Sequence, residues 1–207
     1  MYINDRKAKQ IFFTTEMVQA ILAGRKTMTR RIVKSDVGEQ PSAEIVTDAE
    51  IAAYDKEGEM YPKLLKGISA DFYKGEWIVK CPYDIGDILW VRETFAIIAN
   101  SFKYKADLEG IPKWSDIKWK PSRFMPFEAC RIFLNVKNIR VERLQNISYD
   151  DILKEGWDVK NSLPITDNTA GEDAREWWRS LWIKINGQDS WDENPWVWVY
   201  EFERITI

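Results

Sequence analysis

Apolar residues along this chain recur at spacings that switch between the helix period and the strand period, and the switches mark out a sequence of elements. Lys9 to Phe13 is a short apolar strand candidate that leads straight into a helix over Thr14 to Ala23, where Met17, Ile21 and Leu22 form one stripe. Thr14 or Thr15 supplies the N-cap hydroxyl, and Gly24 suits the left-handed residue that follows a last turn, so the helix is expected to stop at Ala23. Thr27 to Val33, rich in β-branched residues, then reads as a strand. Further on, Ile88 to Ala96 reads as a central strand behind the turn-rich Cys81 to Asp87, and Phe102 to Ala106 as a short one. Ile111 to Phe127 is a loop carrying Trp, Pro and Lys. Arg131 to Arg143 is a long β-rich segment that alternates after Leu134. Ser148 begins a capping-box-like helix start with Asp151 at N3, and that helix should run to Lys154 or Glu155 before Gly156 ends it. Ala174, Trp177, Trp178, Leu181, Trp182 and Ile185 have the spacing of a buried helical face, with Asn186-Gly187 as its stop. After a turn over Gln188 to Pro195, the strand Trp196 to Arg204 places Trp196, Trp198, Tyr200 and Phe202 on one side.

Between the second strand and Cys81 the pattern degrades. Asp36 to Glu59 holds eight acids and one Lys, with Gly38, Pro41 and Gly58 as breakers. We read residues 35–80 as an acidic insertion, partly helical around Asp48 to Tyr54. No Gly/Ser or Pro-rich linker divides the remainder, so the expected organisation is one α+β domain of 207 residues.

Composition changes this picture in three places. There is no histidine, which excludes Ser-His-Asp, Cys-His and His-ligated metal chemistry and leaves Lys, Glu, Asp, Thr, Ser or Tyr for any catalysis. Neither a metal-ligand cluster nor a dinucleotide or Walker motif appears, so no metal or cofactor is expected. The net charge of −3 conceals an asymmetry: residues 1–34 carry eight Lys/Arg against two acids, a balance suited to phosphate or nucleic acid. Cys81 and Cys130, the only cysteines, read as reduced thiols. Without an apolar run long enough to span a bilayer, the expected setting is the cytoplasm, with no membrane partner. The eleven tryptophans are read as core aromatics first, with Trp114, Trp119 and Trp191 in loops as the stacking candidates.

Candidate chemistry concentrates between Gly24 and Arg31, where Arg25, Lys26, Thr27, Thr29, Arg30 and Arg31 follow a helix stop. Strand parity puts Thr29 and Arg31 on one face. Lys26 can converge with Thr29 only if it stays on the turn after Gly24, because regular strand from 26 to 29 would send the two to opposite sides. Arg92 and Glu93 interrupt the Ile88 strand, and one of them is expected to face a pocket or the covered side of the sheet.

Those residues carry a resemblance. Gly24-Arg-Lys-Thr-Met-Thr-Arg30 with Arg31, Gly86-Asp87 before a strand, and the closing aromatic strand through Glu201-Phe202 resemble the ASCH domain family of the PUA-like superfamily. Leu89 to Phe95, Arg140 to Ile147 and Asn194 to Val199 look like the long tryptophan-rich members frequent in phages and prophages. Those relatives often carry a histidine after the Pro-Ser of the middle loop, where this chain has Arg123. The resemblance implies a PUA-like mixed β-barrel with flanking helices. It also implies a nucleobase, nucleoside or nucleic-acid (RNA) partner at the Gly24–Arg31 turn, with Arg25, Thr27, Arg30, Arg31, Arg92 and Glu93 as ligand-binding residues. A similar bacterial ASCH protein hydrolyses acetylcytidine with a Lys, a Thr and a Glu, which fall on Lys26, Thr29 and Glu155 here. Chemically, a lysine near positive charge or out of water can serve as base, a threonine as nucleophile, and a glutamate at a helix C-terminus as general acid. The other readings are a metal-independent ribonuclease and a phage accessory or assembly protein that uses the fold for protein contacts.

Overall fold

Each strand of this chain leaves hydrogen-bonding groups that only a neighbouring strand can satisfy, and the order in which they pair decides which side chains meet. The computed structural model describes residues 2–3, 6–33, 52–54, 60–62, 69–72, 77–107, 116–159 and 170–207. Five strands form one mixed sheet: β1 (Lys9–Phe12), β2 (Met28–Ile32), β3 (Ile88–Arg92), β4 (Phe133–Arg143) and β5 (Trp196–Ile205), in the order β1-β3-β4-β5-β2. β1 lies parallel to β3, and the other neighbours are antiparallel. The long β4–β5 ladder runs from Phe133 opposite Ile205 to Arg143 opposite Trp196 and shifts register between Val136 and Asn138.

The local signals act as expected at the helix ends. The Thr14 hydroxyl accepts from the Met17 amide, α1 spans Thr15–Leu22, and Gly24 follows at φ 74. Ser148 caps α2 (Tyr149–Lys154) through the Asp151 amide, and Gly156 follows at φ 108. α3 (Ala170–Asn186) buries Ala174, Trp178 and Trp182 on one face, though Ile185 at its end is exposed.

Alternation along the strands then sorts the core into two layers. On one side of the sheet Ile11, Phe13, Leu89, Val91, Trp198, Tyr200 and Phe202 pack with Val18 and Ile21 of α1. On the other, Met28, Val197 and Val199 pack with Ile152, Trp157, Trp178 and Trp182. Burial of a single large apolar side chain is worth about 1.5–3 kcal/mol, so these layers hold α1 and α2 against the sheet far more firmly than helix propensity could.

Several expectations are corrected. The Ile88 strand does not continue to Ala96: Glu93 and Thr94 leave it, and Phe95–Ile98 forms a separate hairpin with Ser101–Tyr104. The break follows from the Glu93 amide pointing at Met125 Sδ (3.2 Å) instead of a neighbouring strand, and from Ala99 and Asn100, both at positive φ, closing a two-residue turn. Gln188–Asp192 forms a short helix, α4, inside the expected turn, and Trp191 packs against the second core layer rather than standing free. Ala52–Tyr54, expected in a helix, is a strand, because its backbone pairs antiparallel with Met60–Pro62; Ser69–Phe72 pairs likewise with Trp77–Lys80. The rest of the acidic insertion, and Trp114, lie outside the described residues.

The molecule is thus α+β, with one five-stranded mixed sheet whose edge strands β1 and β2 share no ladder among the described residues. A side chain does reach between those edges, since Arg31 Nη2 of β2 donates to the Phe12 carbonyl of β1 at 2.9 Å. No helix among the described residues is long and apolar enough to cross a membrane.

Candidate functional site

The Gly24 turn is fixed by backbone before any side chain acts. The Arg25 and Lys26 amides both donate to the Ala20 carbonyl (2.9 and 3.0 Å), the Thr27 amide donates to the Lys154 carbonyl at the end of α2 (2.8 Å), and the Phe202 amide donates to the Thr27 carbonyl (2.9 Å). The turn therefore joins α1, α2 and β5. Gly156 makes the close approach possible: a Cβ there would sit 3.0 Å from Ala20 Cβ and 3.2 Å from Lys26 Cβ.

Lys26 stays on this turn, and its side chain is fully enclosed. Its ammonium lies 5.8 Å from the centre of the Phe13 ring and donates to the Glu155 carbonyl (2.9 Å) and to Glu155 Oε2 (2.6 Å). Arg30 Nη1 donates to the other carboxylate oxygen at 3.0 Å. Beyond Arg30 the charges continue to alternate: its guanidinium also binds Glu142 (Nε to Oε1, 2.9 Å) and Asp151 (2.7 Å), and Arg140 joins Asp151, Glu142 and Glu201. Arg30 stacks near Trp178, 5.7 Å from ring centre to guanidinium carbon.

Thr29 occupies the opposite face of β2 from Arg30 and is 1% exposed. Arg31 Nη1 donates to Thr29 Oγ1 at 2.8 Å, and the Arg31 guanidinium carbon is 5.3 Å from the same Phe13 ring that Lys26 approaches. Lys26, Thr29 and Arg31 accordingly gather around Phe13 and are not separated by the sheet. Tyr200, opposite Thr29 in the β2–β5 ladder, adds a phenol that pairs with Cys81 Sγ (3.5 Å) and meets Tyr83 edge-on at 5.0 Å.

Electrostatics follow from this packing. Burial lowers the Lys26 amine from its ordinary value; Glu155 recovers part of the loss, while Arg31 and Arg30 lower it further. Burial also works against the Arg30 charge, but Glu155, Glu142 and Asp151 outweigh it and hold that guanidinium above its ordinary value. Burial raises the Tyr200 phenol, with the neighbouring Cys81 acting in the same sense. The site thus contains an amine whose pKa burial lowers, a hydroxyl held by a guanidinium, and a carboxylate whose two oxygens accept from Lys26 and Arg30. Glu155 holds Lys26 in place through both its backbone carbonyl and its side chain.

The other predicted ligand residues do not join this group. Arg25 is exposed and pairs loosely with Asp158 (3.6 Å), and the Thr27 side chain faces solvent while its backbone is used. Arg30, on the opposite face of β2 from Thr29, touches this group only through Glu155 and is otherwise committed to Glu142 and Asp151. Glu93 is buried and accepts from both arms of Arg131 (2.8 and 2.9 Å), with Asp107 on the third nitrogen at 2.7 Å. Arg92 turns to the outer face, where it binds Gln10 Oε1 (2.6 Å) and the Ser122 carbonyl (3.1 Å). Sequence reasoning missed Phe13, Tyr200 and the partners Glu142 and Asp151; the period-two placement of Arg140 and Glu142 on one strand face was the available signal. Comparison with protein-family models, with curated proteins and with solved structures finds no match to this chain.

Proposed function

We propose that the chain is an ASCH-like, PUA-related protein that takes a nucleobase at the Lys26–Thr29–Arg31 end of the sheet and removes the acyl group from an acylated cytosine amine. The observation that carries this reading is a fully enclosed lysine–glutamate pair beside an enclosed, arginine-held threonine hydroxyl. A buried ion pair adds little or nothing to stability over apolar residues of the same shape, so its presence argues for a use beyond folding. The reach of Arg31 to the Phe12 carbonyl, which draws the two sheet edges together, supports the barrel-like curl that the reading requires.

In the proposed reaction, the Lys26 ammonium first passes a proton to its 2.6 Å partner, Glu155 Oε2; the neutral amine then removes the Thr29 hydroxyl proton as Oγ1 attacks the acyl carbonyl carbon, and Arg31 holds the developing oxyanion. The C–N bond breaks as the Lys26 ammonium returns that proton to the departing cytosine amine. Water then cleaves the threonine ester, giving the carboxylic acid and restoring both groups. Glu155 acts by positioning Lys26 through its carboxylate and its backbone carbonyl.

The test is incubation of the purified protein with N4-acetylcytidine, following cytidine by chromatography, alongside Lys26→Ala and Thr29→Ala. Loss of turnover in both variants is expected. Turnover that survives either substitution overturns the hydrolytic role, and nucleoside binding without turnover in the parent protein reduces the function to recognition.

A further inference from the structure

The outer face of the β1–β3 pair carries a feature that the Lys26–Thr29–Arg31 group does not use. Phe12 and Arg92 are opposite one another in the parallel ladder, and the Arg92 guanidinium carbon sits 5.0 Å from the Phe12 ring centre and 5.2 Å from that of Trp90. Arg92 also donates to the carbonyls of Ser122 and Arg123, which fastens the Pro121–Phe124 turn beside it. On that turn Arg123 stacks over Phe124 at 4.9 Å. Phe12 is 41% exposed and Phe124 59%, among the largest exposures of any described aromatic side chain. The same Phe12 residue lends its carbonyl to Arg31, so the strip adjoins the Thr29 end of the sheet.

Charge is one-sided here. Among the described residues, Arg92 and Arg123 make no carboxylate contact, and Lys118 and Lys120, exposed on the approach to the turn, have no ion-pair partner. Residues 117–124, Ile-Lys-Trp-Lys-Pro-Ser-Arg-Phe, contain three cations and no acid, in a chain whose net charge is −3. Flat apolar rings at the surface, flanked by the Arg123 guanidinium and the Lys118 and Lys120 ammonium groups, which have no carboxylate partner among the described residues, match a polyanion whose units also have flat faces. Unpaired bases stack on the rings while their phosphates meet the cations, and neither needs a particular base sequence.

We infer that the Phe12–Arg92–Arg123–Phe124 strip binds single-stranded nucleic acid and leads one nucleotide of the strand toward the Thr29–Arg31 end. The destination rests on the nucleobase reading of that end, whereas the binding surface does not. The strip would make a nucleotide within a strand a better ligand than the free nucleoside.

The experiment measures fluorescence anisotropy of the full chain with labelled 12-nucleotide oligouridylate and oligothymidylate across a salt series, for the parent protein and for Phe124→Ala, Arg123→Ala and Phe12→Ala. Lys137→Ala serves as a control, since that exposed lysine lies elsewhere and pairs with Glu203. Phe124 and Arg123 are exposed, so their substitution leaves the fold intact, and acetylcytidine turnover or binding in the same preparations reports on the Lys26–Thr29–Arg31 end independently. Each aromatic substitution is expected to weaken strand binding on the order of tenfold. Arg123→Ala should reduce the slope of log affinity against log salt by about 0.7, the value for one phosphate contact on a single strand. Strand binding unchanged in Phe124→Ala and Arg123→Ala, no strand binding at low salt, or equal binding of a polyglutamate peptide would each overturn the inference. The last outcome would assign the strip to an acidic protein segment.

Discussion

Replacing Lys26 with methionine tests the electrostatic description of the turn most directly. Methionine fills nearly the same volume beside Phe13, so the change isolates the loss of the ammonium and its two hydrogen bonds to Glu155 at 2.6 and 2.9 Å. Breaking a buried pair by removing one partner costs roughly 3–5 kcal/mol. Here Arg30 remains on the second carboxylate oxygen, which places the expected loss at the lower end, about 3 kcal/mol. For a chain of this size that corresponds to a fall in Tm of about 6–12 °C. Urea unfolding followed by circular dichroism measures it, with the slope of the transition unchanged. The pH dependence has a definite sign. Because folding lowers the Lys26 pKa, the unfolded chain binds more protons between that lowered value and 10.5, and stability rises with pH through this window. Lys26→Met lacks that rise, so its deficit should grow as the pH is raised toward 10.5. Substituting both partners, Lys26→Met with Glu155→Leu, should recover at least half of the loss, since Arg30 retains Glu142 and Asp151. A single variant within about 0.5 kcal/mol of the parent protein, the range of ordinary surface substitutions, would refute the enclosed ion pair.

Gly156→Ala should destabilise by about 2–3 kcal/mol, measured in the same way, because φ 108 strains any side chain and the new Cβ meets Ala20 at 3.0 Å. Arg131→Met should leave the Glu93 carboxylate buried without its cation. Burial already raises Glu93 against the opposing pull of Arg131, so the variant's deficit should be about 3 kcal/mol at pH 8 and shrink toward pH 5, where the carboxyl takes up a proton; a deficit independent of pH would contradict this. Burial pushes the Cys130 thiol up to about 11. In a Cys81→Ser background, Cys130 labelling by a disulfide reagent at pH 8 should be on the order of a hundredfold slower than for a free thiol, accelerating about tenfold per pH unit. Thr14→Ala should cost about 1 kcal/mol through loss of the α1 cap, read as a Tm shift.

What the sequence disclosed divides by distance along the chain. Thr14, Gly24, Ser148 and Gly156 act within three or four residues, so helix ends were legible from local chemistry, as was the shared face of Trp198, Tyr200 and Phe202. Strand parity likewise placed Thr29 with Arg31 and left Lys26 on the turn. Glu155 is different: it lies 129 positions from Lys26, and no periodicity encodes that meeting, which depends on α2 docking against the turn. The partners of Arg30 were hidden for the same reason, because Glu142 and Asp151 reach it only through the β4-β5-β2 order. Glu93 looked like a strand residue until Met125 and Arg131, both distant, drew its amide and its carboxylate out of the ladder.

The hold of α2 on the Gly24 turn has a consequence for how the protein can be watched. A six-residue helix has no stability of its own in water and persists only while Ile152 and the neighbouring tryptophans are packed. Should that corner detach, Glu155 leaves with it and the Lys26 amine enters solvent. Lys26 then becomes a chemical clock for local opening: under brief acetylation it should be modified last among the described lysines, at the reagent's rate on a free amine multiplied by the opening equilibrium constant of α2.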